Sequence, residues 1–167
     1  MRIIRCTQRL LRELGISPPD AEASVSDREG LGNWYANIIR LDRRKCLIFT
    51  NERTLYTFLI PGVLKRDLEN IKNEFVSNLI FNLQNEGFDL EVIDRIRQEY
   101  KEIGFAKTAS KIILGSMNDF ALQYEVLLPE AGIAHVKILH LNRKINMTPM
   151  SAINYAYPIE RLKDVLQ

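Results

Sequence analysis

The chain has 167 residues, the usual length of one domain. Its composition is that of an ordinary globular protein, 46% hydrophobic and 26% charged, and 23 Lys+Arg against 21 Asp+Glu leave a net charge of +2. These figures exclude a disordered tail, a collagen-like rod and a small disulfide scaffold, and the charge is too small to imply a polyanionic partner. A chain this long buries about 70% of its unfolded surface and needs neither disulfide nor metal to hold a core.

In chain order, Ile3-Ile4 reads as a short strand. Thr7 then caps a helix carrying Leu10, Leu11 and Leu14, which Gly15 closes before Pro18-Pro19. Residues 17–32, rich in Pro, Ser, Asp, Glu and Gly, read as a long surface loop. The clearest β signal follows, in 33–41, 45–50 and 54–60, joined by the polar turns Asp42-Arg43-Arg44 and Asn51-Glu52-Arg53. In the third of these strands both alternating sets are apolar, the mark of a sheet covered on both faces.

The remainder reads as helical. Leu68, Ile71, Phe75, Leu79 and Leu83 recur at three- and four-residue intervals between Lys65 and Asn85. Asp89 caps a second helix that Gly104 ends, and 105–108 is a link. Ser110 caps a third helix with Ile113, Met117, Phe120, Tyr124 and Leu128 on one stripe, running until Pro129. Residues 133–146 fit either strand or helix, and Pro158 opens a terminal helix. The expected architecture is α+β in a single domain, 1–167: an N-terminal three- to four-stranded antiparallel meander packed against a C-terminal set of amphipathic helices.

The N-terminus lacks the apolar run of a secretory signal, and the longest apolar stretches fall short of the roughly 20 residues that span a bilayer. A cytoplasmic protein with no membrane association is expected. Cys6 and Cys46 form no Cys-x-x-Cys pair and are expected to be reduced, packed thiols. His135 and His140 are five apart, on different faces of a helix or strand, so no metal set is read. GxxxxGK[ST], GxGxxG, GxSxG and HExxH are all missing, and no cofactor is expected.

Four polar groups are candidates for function. Arg2 and Arg5 flank the first strand, where arginine can hold a phosphate or carboxylate bidentately or simply guard an edge. Arg43, Arg44 and Lys45 lie near Trp34, Tyr35 and Tyr56, a possible nucleic-acid grip, though useful binding recruits about 6–10 phosphate contacts. Asn51, Glu52 and Arg53 form a turn in which Glu52 and Arg53 can act as base and anion clamp, or as routine turn residues. In Leu114-Gly-Ser-Met-Asn-Asp-Phe120, Ser116 and Asp119 share a side with Asn118 beside them. Gly115 there lets a strand or ligand approach, and a buried Asn118 and Asp119 would dock on backbone or line a polar pocket.

The series Arg5-Cys-Thr7, Leu31-Gly-Asn-Trp-Tyr-Ala-Asn37, the stretch 43–55, Leu114–Phe120 and Asn146-Met-Thr-Pro149 resembles a family of bacterial proteins classed as a domain of unknown function. The resemblance covers nearly the whole chain. Asn33 stands where that pattern has Asp, and Ala109-Ser-Lys111 where it has an Asn-Arg-Ser-like stretch. The resemblance implies a bacterial cytosolic protein and no particular chemistry. The leading expectation is a non-catalytic binding or protein-interaction module whose surface combines the meander turns with the polar face of 110–128. The alternatives are an enzyme on a small phosphate- or carboxylate-bearing substrate, with Arg5 and Arg53 as clamp and Asp119 or Glu52 as base, and a nucleic-acid binder through Arg43, Arg44 and Lys45.

Overall fold

The computed structural model describes residues 1–17 and 29–167. The expected loop at 17–32 therefore lies largely outside the described residues. Of its described end, Glu29 and Gly30 are exposed as expected, whereas Leu31 is fully buried.

Strand β1 (Arg2–Cys6) passes through Thr7, whose hydroxyl accepts from the Leu10 amide, into helix α1 (Gln8–Leu14). Gly15 ends α1 in the left-handed region, at φ 66°, where only glycine is at ease. Strand β2 (Trp34–Leu41) turns at Asp42-Arg43, both with positive φ, into β3 (Arg44–Asn51), and β4 (Thr57–Ile60) completes the meander. The periodic stretch from Lys65 is two helices, α2 (Lys65–Glu69) and α3 (Ile71–Asn85), because the backbone leaves helical values at Asn70. Helix α4 (Leu90–Glu99) is capped by Asp89 as expected.

Residues 105–107 of the expected link belong instead to strand β5 (Ile103–Lys107), and Thr108 alone of that link is irregular. Ile103 continued the spacing of Ile96 and Tyr100 and so imitated a longer helix. In the strand, Ile103 and Phe105 face one way while Gly104 and Ala106 supply a flat back. Helix α5 (Lys111–Ala131) runs two residues past Pro129. The ambiguous stretch is helix α6 (His135–Ile145), and α7 (Pro158–Leu166) closes the chain.

The sheet order is β4-β3-β2-β1-β5. The meander 34–60 is antiparallel, but β1 pairs parallel with β2 and with β5. The sheet is therefore mixed, which corrects the purely antiparallel expectation. The physical reason is α1, which returns the chain so that β2 leaves in the direction of β1.

Two cores follow from strand alternation. Ile4, Trp34, Phe49 and Phe58 face one side, under α1, α3, α4 and α7. Tyr35, Ile48 and Leu59 face the other, under α5 and α6. The first core centres on an aromatic group in which Trp34 meets Phe58 at 5.5 Å and Phe75 at 5.3 Å.

The outer edge of β4 is closed by side chains. Asn146 accepts from the Thr57 amide at 2.8 Å and donates to its carbonyl at 2.7 Å, while Asn142 accepts from the Leu59 amide at 3.1 Å. Four helical residues rise about 6.0 Å and two strand residues about 6.6–6.8 Å, so asparagines at i and i+4 match strand positions i and i+2. Helix α6 thus caps an edge that would otherwise invite another strand.

Candidate interaction surface

Helix α5 is placed at its start by Ser110, whose hydroxyl accepts from the Ile113 amide while its own amide donates to the Tyr35 hydroxyl at 2.8 Å. Its inner face buries Ser116, Met117, Phe120, Tyr124 and Leu128 on the β2–β3–β4 side of the sheet. Tyr124 donates to Asn142 at 2.6 Å, which anchors α5 to the edge-capping asparagines.

The outer face carries exposed aliphatic residues among polar ones. Ile112 is 68% exposed, Leu122 60% and Val126 75%, and Ile133 and Val136 continue the exposure just beyond the helix. A surface helix normally shows one apolar stripe and a charged back, and a helix apolar on both sides is normally covered on both sides. Single exposed hydrophobics are unremarkable; a run of them at helical spacing marks a contact surface.

Asn118 and Asp119 are exposed on this outer face and Ser116 is buried on the inner one. This corrects the expectation that Asn118 and Asp119 are buried and need internal partners. Among the described residues nothing approaches Gly115: a Cβ placed there meets none of their atoms within 4 Å.

The other predicted residues are dispersed. Trp34 is fully buried and donates to Tyr100 at 2.8 Å, and with Tyr35 and Tyr56 also buried none of these rings offers a stacking platform. Arg44 pairs with Asp42 at 3.2 Å and Lys45 with Glu13 at 3.1 Å. Arg43 holds a left-handed position of the turn, at φ 63°. That turn and the Asn51–Arg53 turn lie at opposite ends of the eight-residue β3, about 23 Å apart at 3.3 Å per residue, so they do not form one surface.

Asn51 is a structural hub. Its amide donates to the carbonyls of Leu31 and Asn33, and its oxygen accepts from the Arg53 and Thr54 amides. The Glu52 amide donates to the carbonyl of Asn33. Arg53 donates to the Gly30 carbonyl, whereas Arg5, 5% exposed, donates to the Lys107 carbonyl at 3.2 Å. The two proposed clamp arginines thus end on different carbonyls.

Arg5 sits near the carboxyl ends of the parallel strands β1 and β5. The helices that follow these strands cover opposite faces, α1 one core and α5 the other. That is a topological switch point, where open sheets leave a crevice. A hollow beside it is lined by Gln8, Arg12, Gly15 and Lys107.

Sequence reading missed the buried polar groups beneath α6. Tyr56 donates to Glu86 at 3.2 Å, and Glu86, its side chain 3% exposed, lies 3.7 Å from Arg143. Burial raises the Glu86 carboxyl above its ordinary range, against the opposing Tyr56 hydrogen bond and the charges of Arg143 and Lys163. The available signal was Asn142 and Asn146 at i, i+4 among the apolar Leu141 and Ile145.

A family model described as a domain of unknown function, DUF6933, matches residues 3–161. The chain belongs to that family. No curated protein and no solved structure matches it. The match spans the meander, β5 and all of α5, and leaves out Leu162 and Leu166 of the first core; the family's description names no activity. Among the described residues no three His, Cys, Asp or Glu are grouped to hold a metal ion, and no helix is long and apolar enough to cross a membrane.

Proposed function

We propose that this chain is a protein-interaction module that docks through the outer face of α5. The observation that carries the reading is the second apolar stripe of that helix, with Ile112, Leu122 and Val126 at 68%, 60% and 75% exposure. Water-exposed aliphatic surface gains roughly 25 cal/mol for each Å² removed from water, so a patch of this kind favours a protein partner over a small polar ligand. This moves the docking surface from the meander turns and polar helix face expected from sequence to the apolar back of α5. The test is a photo-crosslinking residue at Leu122 in cells that make the protein, with the same residue at exposed Arg97 on α4 as control. A discrete crosslinked species from position 122 and none from 97 is expected. Equal or no crosslinking at both positions rejects the reading.

A second reading concerns a small anion, as substrate or ligand, in the hollow at the β1/β5 carboxyl ends. It is favoured by Arg12 and Lys107 lining that hollow beside Arg5. Inorganic phosphate or pyrophosphate is then expected to raise the melting temperature of the native chain, and of Lys107→Ala much less. A melting temperature unmoved by either anion removes this reading.

A further inference from the structure

Nothing among the described residues accounts for Gly115. Glycine in a helix interior costs about 1 kcal/mol relative to alanine. Here none of the described residues packs on it, and it has no positive φ to require it. Its neighbours on the outer face give the reason. At about 100° per residue, Ile112, Gly115, Leu122, Val126 and Pro129 fall within an arc about 100° wide, which also holds the exposed Lys111 and Glu130 at its two margins and Asp119 between Val126 and Ile112. The helix carries a notch in the middle of an exposed apolar stripe.

We propose that this arc is the contact face of a two-fold dimer in which α5 packs antiparallel on α5 of a second copy. The proposal rests on the reading of the outer face as a docking surface and names its occupant. A two-fold axis pairs a surface with itself, so the stripe must be self-complementary. With the axis midway between Asp119 and Leu122, position 115 of one helix lies opposite position 126 of the other, and 112 opposite 129. Val126 then fits over the bare backbone of Gly115, twice, and the glycine provides the close approach that offsets its cost.

Charge selects the same arrangement. Lys111 stands at the start of α5, and Glu125 and Glu130 near its end. Antiparallel packing brings Lys111 of each copy to the end that carries the other's two glutamates, and it sets the helix macrodipoles antiparallel, each N-terminus beside the other's C-terminus. Parallel packing would gather lysine with lysine and glutamate with glutamate. Asp119 works against the pair, because this register sets it inside the contact arc, opposite Leu122 of the other copy, with the two Asp119 carboxylates close to the axis. It therefore weakens the dimer without changing its register.

The test uses the full chain in sedimentation velocity over about a hundredfold range of concentration. The average mass is expected to rise from the monomer value of 19.4 kDa toward twice that. Val126→Glu is expected to hold the mass at monomer with an unchanged circular dichroism spectrum. Asp119→Asn is expected to move the midpoint several-fold lower in concentration, a gain that damage to the fold cannot imitate. Register is read by mixing Gly115→Cys with Val126→Cys protein under oxidation, where the mixed disulfide must form faster than either self-disulfide. A monomer at every concentration, a dimer indifferent to Val126→Glu, or preferred self-disulfides overturns the proposal. If the purified chain stays monomeric while position 122 crosslinks to a different protein in cells, self-pairing fails and the interaction reading stands. If position 122 crosslinks to nothing, both fail.

Discussion

Removing the amide of Asn146 tests whether α6 closes the sheet edge as the geometry requires. Asn146→Ala deletes the acceptor for the Thr57 amide and the donor to its carbonyl, at 2.8 and 2.7 Å, and leaves both backbone groups buried. Each stranded group costs about 1–3 kcal/mol, so the loss is about 2–6 kcal/mol out of a typical total of about 5–15. With a urea slope of about 1–3 kcal/mol per molar, the unfolding midpoint falls by roughly 2 M. Trp34, the single tryptophan and fully buried in the aromatic core, reports the transition by fluorescence. Asn146→Asp separates donor from acceptor. It keeps an oxygen for the Thr57 amide but turns an acceptor toward the Thr57 carbonyl, so it is at least as damaging at neutral pH. It recovers in acid, where a protonated carboxyl can donate. A loss below about 1 kcal/mol for Asn146→Ala would mean that water reaches the β4 edge, and it would refute the reasoning.

Burial raises the Glu86 carboxyl, so the folded chain binds that proton more tightly than the unfolded chain. Stability from this group falls as pH rises from the ordinary carboxylate value through the raised one. Glu86→Gln is expected to be the more stable form at neutral pH and to match wild type at low pH; parallel melting curves across that window would discredit the assignment. The Cys6 thiol is pushed up to about 12 by burial, and that of Cys46 is raised for the same first cause. Neither thiol of the native chain is expected to react with a disulfide reagent near pH about 8 until denaturant is added, and rapid native labelling would contradict this. Gly115→Ala is expected to stabilise the monomer by about 0.5–1 kcal/mol, since the added methyl meets nothing within 4 Å, and urea unfolding at low protein concentration reads it.

Much of this architecture was legible in short-range pattern. The meander, its Asp42-Arg43 turn and the caps Thr7, Asp89 and Ser110 each show in a few neighbouring residues. The parallel pairings of β1 were not legible, because a strand of five residues does not announce which strands it will lie between. β5 was hidden by Ile103, which fits a helical stripe and a strand face equally well. The roles of Asn51, Asn142 and Asn146 were hidden for another reason. An asparagine that completes a distant backbone has the same local signature as one in an ordinary turn, and only the fold shows that Thr57 and Leu59 are its partners.

Helix α5 shows the same ambiguity at the site itself. Its inner stripe, through Met117, Phe120, Tyr124 and Leu128, is so regular that it accounts for the helix unaided and makes the remaining residues look like the polar back. Ser116, Asn118 and Asp119 then seem the chemical part, and Gly115 their accomplice. The structure reverses that weighting: Ser116 lies inside, Asn118 and Asp119 stand in water, and they share the outer face with the exposed aliphatics Ile112, Leu122 and Val126. One amphipathic helix needs one stripe to fold. The exposed aliphatics Ile112, Leu122 and Val126, with a glycine between them on which no described atom packs, are not needed for that stripe, and they are the ground on which docking through the outer face is proposed.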